Sequence, residues 1–159
     1  MHENKPLEIE RKFLIKKYPG KLEENQKKDI IQGYISIEDG GKEVRLRNCN
    51  KTYSLTVKEG SGLVRLEHEI RLTLEQFNTL WPATKGKRIH KTRHITPSNI
   101  EIDVYHGSLN GLIIAEVEFS SESASKSFIC PDWFAEEITY DSTFKNQNLA
   151  VNGLGKLSL

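Results

Sequence analysis

The stretch Glu8-Ile9-Glu10-Arg11-Lys12-Phe13-Leu14-Ile15 decides how the rest of the chain is read. With a period of two, Glu8, Glu10 and Lys12 fall on one face of a strand, and Ile9, Phe13 and Ile15 on the other. Taken alone, this is how any strand with one solvated face looks. The same alternation of charge against apolar side chain recurs in most later strands, and the recurrence carries the argument.

Working outward, Tyr18-Pro19-Gly20 turns the chain, and Lys21 to Asp29 is a polar connector with helical character. A strand over Ile30 to Ile37 sets Gln32, Tyr34 and Ser36 against Ile31, Ile35 and Ile37, and Asp39-Gly40-Gly41 signals a hairpin. Glu43 to Asn48 sets Glu43, Arg45 and Arg47 against Val44 and Leu46. Thr52 to Lys58 then sets Ser54, Thr56 and Lys58 against Tyr53, Leu55 and Val57. After the Gly60-Ser61-Gly62 loop, Leu63 to Leu72 places Arg65, Glu67, Glu69 and Arg71 opposite Leu66, Ile70 and Leu72.

Thr73-Leu74-Glu75-Gln76 has capping-box form and starts a helix carrying Phe77, Leu80 and Trp81, which stops at Pro82. Ile89 to Ile95 carries Lys91 and Arg93 on one face, Ile100 to Tyr105 carries Glu101, Asp103 and Tyr105, and Leu112 to Ser120 carries Glu116 and Glu118. Ser121 or Ser123 caps a short helix to Phe128. Pro131-Asp132-Trp133-Phe134 reads as a packing segment, and Thr143 to Val151 as a helix ending at Gly153. Eight strands with short links and about three helices predict an α+β protein dominated by antiparallel sheet, in one domain over residues 1–159.

The bulk numbers narrow the function. A chain of 159 residues can bury a proper core, and 23 basic against 22 acidic residues, net +1, argues against a bulk nucleic-acid or membrane binder. Cys49 and Cys130 stand far apart with no zinc-ligand spacing, and His68, His90, His94 and His106 read as surface or rim residues. No apolar run approaches the length of a membrane span, and Met1-His2-Glu3-Asn4-Lys5-Pro6 lacks a signal-peptide core, so a cytoplasmic protein is expected, monomer or homodimer.

Two architectures satisfy the alternation. In a sandwich the apolar faces meet and the charged faces are solvated. In a closed barrel the charged faces line the lumen and helices cover the apolar outside. A solvated face tolerates Ser, Thr, Asn and Gln freely, yet here nearly every such position is ionisable, which favours the barrel; eight strands leave room for one small ligand. Charges in a lumen are costly unless matched. Clustered carboxylates call for a hard divalent cation, Mg²⁺ or Mn²⁺, and clustered Arg and Lys for phosphate oxygens. A metal-chelated polyanion answers both.

The ordered set Glu8-x-Glu10-x-Lys12, Arg45-x-Arg47, Thr56-x-Lys58, Glu67-x-Glu69, Lys91-x-Arg93, Glu101-x-Asp103 and Glu116-x-Glu118 resembles the CYTH superfamily, the triphosphate tunnel metalloenzymes, over most of the chain. It looks closest to the short bacterial members. The resemblance implies an eight-stranded antiparallel tunnel and divalent-metal-dependent hydrolysis of a triphosphate, with inorganic tripolyphosphate favoured. It further implies that Glu8, Glu10, Glu116 and Glu118 hold metal, with Glu67, Glu69, Glu101 and Asp103 as further acids. Lys12, Arg45, Arg47, Lys58, Lys91 and Arg93 would bind phosphate oxygens, and Lys145, in Phe144-Lys145-Asn146, would either reach a tunnel mouth or be a solvated helix lysine.

Lys12, desolvated among cations, is expected to have a lowered pKa suited to proton transfer, with Tyr34 assisting through its hydroxyl or simply filling the lumen. Tyr34 and Tyr105 are the inward aromatics able to stack a base. Their scarcity puts nucleoside and thiamine triphosphatases, and an adenylate cyclase, behind inorganic triphosphate. A polyphosphate-binding module without turnover is the alternative outside catalysis.

Overall fold

The computed structural model describes residues 7–60, 63–155 and 157. The expectations for Met1 to Pro6, and for Ser61 and Gly62 of the glycine-flanked loop, therefore lie outside the described residues. The strands are β1 (Leu7–Ile15), β2 (Gln26–Ile37), β3 (Glu43–Cys49), β4 (Thr52–Glu59), β5 (Val64–Leu72), β6 (Arg88–Ile95), β7 (Glu101–Tyr105), β8 (Ile113–Glu118) and β9 (Phe134–Glu137). Three short helices accompany them: α1 (Leu74–Leu80), α2 (Glu122–Ser127) and α3 (Asn146–Asn152).

All nine strands form one sheet in the order β5-β4-β3-β2-β6-β7-β8-β1-β9, and a further β5–β1 pairing closes β1 to β8 into an antiparallel barrel. The closure is short. Among the described residues, Leu7, Glu8 and Ile9 meet β5, opposite Leu66, Arg65 and Val64. Further along, β1 faces β9 instead, at Phe13 and Ile15. On its other edge β1 runs beside β8 from Glu10 to Leu14.

The local chemistry explains the turns. Asn50 and Lys51 both have positive φ (49° and 65°), the conformation that joins β3 to β4 in a tight twisted hairpin. Thr73 accepts from the Gln76 backbone while the Gln76 side chain accepts from the Thr73 backbone, so the capping box opens α1 as the sequence predicts. Ser121, not Ser123, caps α2 by accepting from the Ala124 N–H. Gly153, at φ 62°, follows α3.

Two differences stand out from the sequence reading. The Lys21–Asp29 connector is helical only at residues 22–24, because Lys27 to Asp29 already pair with β6 and extend β2 backwards. The packing segment at Trp133 and Phe134 runs into a ninth strand outside the barrel.

Most apolar strand faces lie outside the barrel, whose closure excludes the sandwich. One cluster does not: Ile89, Tyr105 and Ile114 share the lumen-facing side of their strands with Lys91, Asp103 and Glu116, and gather with Leu109, Leu112, Phe144 and Leu149 beneath α3. A second gathers Phe13, Ile15, Ile100, Ile102, Ala115 and Val117, with Tyr18, Phe128, Trp133 and Phe134 packed against it. Phe134 packs tilted against the Phe13 ring with centroids 4.6 Å apart, and Trp133 meets Phe134 edge-on at 4.6 Å. Among the described residues no helix is long and apolar enough to cross a membrane.

Candidate active site

With most apolar faces turned outward, the pleat delivers the charged faces to the lumen. It is lined by Glu8, Glu10, Lys12, Tyr34, Arg45, Arg47, Lys58, Glu67, Arg93, Glu101, Glu116 and Glu118. Glu43, Arg65, Lys145 and Asn146 line it too. Most of the site residues expected from the sequence therefore share one cavity, and Lys145 does reach it.

The register sets like charges side by side. Glu10 pairs with Glu118 across β1 and β8, and Glu101 with Glu116 across β7 and β8. Directly opposed like charges destabilise a sheet unless something compensates them. Within the protein, lysine and arginine do so. Lys12 Nζ stands 3.1 Å from Glu10 and 3.2 Å from Glu116, and Lys58 Nζ stands 2.8 Å from Glu8 and 3.2 Å from Glu67. Arg93 donates to Glu116 at 2.7 Å and is paired with Glu101 as well.

These contacts reverse the expectation for Lys12. Burial works against its ammonium, but Glu10 and Glu116 outweigh burial and hold its pKa above the ordinary lysine range. A lysine so held is a fixed positive charge and not a proton carrier. Burial likewise opposes the Glu116 carboxylate, yet Lys12 and Arg93 keep its pKa well below the usual range.

Three expected site residues do not face the cavity. Asp103 and Lys91 have no exposed side-chain surface and are joined at 2.5 Å. Asp103 also takes hydrogen bonds from Arg93 Nε at 2.7 Å and Arg93 Nη2 at 2.8 Å. With its oxygens engaged by two cations, Asp103 anchors Arg93 and presents nothing to an ion in the lumen. Burial pushes the Lys91 ammonium down to about 8, against the pull of Asp103. Glu69 sits at the other extreme, on the part of β5 beyond its pairing with β1, with 47% of its side chain exposed and one oxygen accepting from Thr56.

Tyr105 is also sealed off. Its hydroxyl donates to Asn146 at 2.5 Å, so it offers no stacking surface. His94 is buried and its Nδ1 bonds the Leu22 carbonyl, contrary to a rim placement, whereas His68 and His90 are exposed.

The basic side of the lumen is short of acceptors. Arg65 Nε and Nη2 and Arg45 Nε are buried and donate to no acceptor among the described residues. Arg65 stands 3.6 Å from Glu43, beyond hydrogen-bond reach. Burial, then the neighbouring Arg45 and Arg93, push the Arg47 guanidinium down to about 10. Anionic oxygen would satisfy all three side chains.

The acidic side has the complementary need. Burial, followed by the charges of Glu8, Glu10 and Glu67, raises the Glu118 carboxyl above the usual range. Among the described residues no three His, Cys, Asp or Glu side chains stand close enough to hold an ion as they are, because Lys12 and Lys58 lie between the carboxylates. The donors are all oxygen, without imidazole or thiolate, and their mutual repulsion fits a hard divalent cation. Glu8, Glu10, Glu67 and Glu118 are the residues that would hold it.

The sequence pattern does not assign Arg65, Glu43, Gln32 or Asn146 to the site. Arg65 and Glu43 share the alternating faces of their strands and are legible as lumen positions; Gln32 and Asn146 are neutral and give no electrostatic signal.

An antiparallel barrel that buries carboxylates against guanidiniums in its lumen, and wears most of its apolar side outside, defines a triphosphate tunnel protein. Comparison with known proteins agrees. An inorganic triphosphatase of Nitrosomonas europaea is 43% identical over 150 residues, spanning 91% of this chain and 97% of the relative. An inorganic triphosphatase of Acetivibrio thermocellus is 36% identical over 152 residues, spanning 91% and 94%. A crystal structure of an inorganic triphosphatase matches with a TM-score of 0.66 at 41% identity, over 91% of this chain and 94% of that one. No family model matches the chain. The chain belongs to the triphosphate tunnel metalloenzymes of the CYTH superfamily, beside the inorganic triphosphatases.

Proposed function

We propose that the tunnel binds inorganic triphosphate together with Mg²⁺ or Mn²⁺ and hydrolyses a terminal phosphoanhydride bond, yielding pyrophosphate and phosphate. The observation that carries this reading is the set of buried guanidinium N–H groups on Arg65 and Arg45 that lack acceptors, facing carboxylates that repel one another across the same lumen. A chelated polyanion meets both demands at once. The two inorganic triphosphatases that share most of the chain support the choice of substrate.

Arg45, Arg47, Arg65 and Lys58 bind phosphate oxygens, and Arg93 is held in place for the same task by Asp103. Glu8, Glu10, Glu67 and Glu118 hold the ion, which supplies charge neutralisation at the phosphate oxygens. Lys12 acts as a fixed charge beside the breaking bond, stabilising the negative charge that accumulates on the leaving oxygen. Glu116, kept ionised by Lys12 and Arg93, serves to orient an attacking water. Tyr34 is the one aromatic side chain lining the lumen among the described residues, and a single phenol tied to Gln32 is a poor platform for a nucleobase. This favours inorganic triphosphate over nucleotides.

The test is phosphate release from inorganic triphosphate and, in parallel, ATP, with and without Mg²⁺ or Mn²⁺, by the wild type and Glu10→Gln. Metal-dependent release that prefers inorganic triphosphate and is lost in the variant is expected. A cyclic product from ATP would overturn the reading in favour of a cyclase. Binding of triphosphate without turnover would overturn it in favour of a binding module.

A further inference from the structure

Gln32 carries no charge, takes no part in the scheme above, and is fully buried. It lies two residues before Tyr34 on β2 and directly opposite Arg47 on β3. Its carboxamide is used at both ends. Arg47 Nε donates to Gln32 Oε1 at 3.0 Å, and Gln32 Nε2 donates to the Tyr34 hydroxyl oxygen at 2.9 Å.

The direction of this chain is fixed by chemistry. The Nε of an arginine can only donate, so the amide oxygen must face Arg47. That leaves the amide NH₂ for Tyr34, whose oxygen is then the acceptor in their contact. The phenolic O–H must donate elsewhere, and no acceptor among the described residues takes it. Tyr34 lines the lumen beside Arg45 and Arg47. Burial, reinforced by Glu43, raises the pKa of the phenol, which stays protonated and retains a hydrogen to give.

We propose that Gln32 is a positioning residue: by accepting from Arg47 and donating to Tyr34, it turns the Tyr34 hydroxyl hydrogen into the lumen as a neutral donor to a phosphate oxygen of the substrate. The same amide engages Nε of Arg47 and so leaves the outer nitrogens of its guanidinium for the substrate. This inference rests on the triphosphate reading of the lumen.

A double-mutant cycle tests it, using kcat/KM for inorganic triphosphate on wild type, Gln32→Glu, Tyr34→Phe and the double variant. Glutamate is nearly isosteric but can only accept, so it draws the Tyr34 hydrogen away from the lumen. Tyr34→Phe is expected to lose about tenfold or more, the worth of a hydrogen bond to a charged group. Gln32→Glu is expected to lose at least as much with Tyr34 present. In the Tyr34→Phe background its loss should be about fivefold smaller, since only its added charge then acts.

Equal losses in the two backgrounds would overturn the proposal, because a purely structural role for Gln32 does not depend on the residue at position 34. Gln32→Met, which neither accepts nor donates strongly, serves if the glutamate variant fails to fold, and should show the same coupling with a smaller amplitude. Absence of turnover in the wild type would sink the hydrolase reading separately. The same cycle read by calorimetric binding of triphosphate would still decide the role of Gln32.

Discussion

Replacing Asp103 by Asn should destabilise the fold strongly while leaving the metal requirement unchanged. Asp103 is the sole ion-pair partner of Lys91 among the described residues, whereas Arg93 keeps Glu101 and Glu116 after the change. Removing one partner of a buried ion pair costs about 3–5 kcal/mol. Lys91 limits its own share of that cost, because it can shed its proton. With its paired value already about 8, becoming neutral at pH 7.5 spans about half a unit, or about 0.7 kcal/mol, so most of the cost falls on Arg93, which loses the carboxylate that accepts from its Nε and Nη2.

The sign with pH follows. In the variant the unfolded chain keeps the Lys91 proton up to its ordinary pKa while the folded chain has lost it, so the unfolded state binds more protons and stability rises with pH. At pH 9.5 Lys91 is largely neutral with or without Asp103, and its share vanishes. Thermal melts at the two pH values measure this: about 2–4 °C per kcal/mol predicts a loss of about 6–20 °C at pH 7.5, narrowing by about 1–3 °C at pH 9.5. In the same preparation, the Mg²⁺ concentration giving half-maximal rate should stay within about twofold, where loss of a ligand or its direct partner would raise it about 10–100-fold. A variant with a wild-type melt and a sharply raised Mg²⁺ requirement would refute the argument and make Asp103 a ligand.

Other perturbations test other parts of the tunnel. Lys12→Met should lower kcat about a hundredfold, as expected for losing one preorganised group that stabilises developing charge, with the fold intact by circular dichroism; near-normal turnover would reject its catalytic role. The Mg²⁺ concentration for half-maximal activity should climb as pH falls from neutrality into the raised titration range of Glu118, because protons then compete for a carboxylate that gives up its charge earlier than an ordinary one; a pH-independent requirement would contradict this. Gly33→Ala would place a methyl carbon 2.6 Å from Thr84 Cβ, where the short helix after α1 lies on β2, and should cost about 1–3 kcal/mol in a urea titration.

The lumen is legible in the sequence because alternation survives along most of the strands that build it; β2 breaks it between Tyr34 and Ser36, where a register shift sets Ile37, not Ser36, beside Glu43. The pattern Glu43, Arg45, Arg47 identifies a face without any knowledge of its neighbours. Depth along the barrel axis is not written there. Lys91 and Arg93 share a face and a motif, yet one is sealed against Asp103 and the other reaches Glu116 in the lumen. The state of Lys12 is hidden for the same reason: its partner Glu116 is set by the β1–β8 register across more than half the chain. Strand β9 is invisible to pattern because Phe134-Ala135-Glu136-Glu137 has no alternation of its own and is a strand only by leaning on β1. Gln32 is equally silent, since a neutral amide acquires meaning only from the two groups it joins.

The pairing of β1 also has a consequence for how the molecule is made. Strands β2 to β5 form successive hairpins, each able to pair with the strand just before it as the chain leaves the ribosome. Strand β1 is synthesised before the others, but its long partnership is with β8, and until that strand emerges β1 has, among the described residues, a three-residue contact with β5. The strand bearing Glu8, Glu10 and Lys12 must therefore wait, with Phe13 and Ile15 uncovered, while the rest of the barrel is made. Non-local closure of this kind is slow and leaves apolar surface open to association. The acidic wall of the tunnel is the last part of the barrel to be completed, and a chain that stops short of Ile113 cannot complete it.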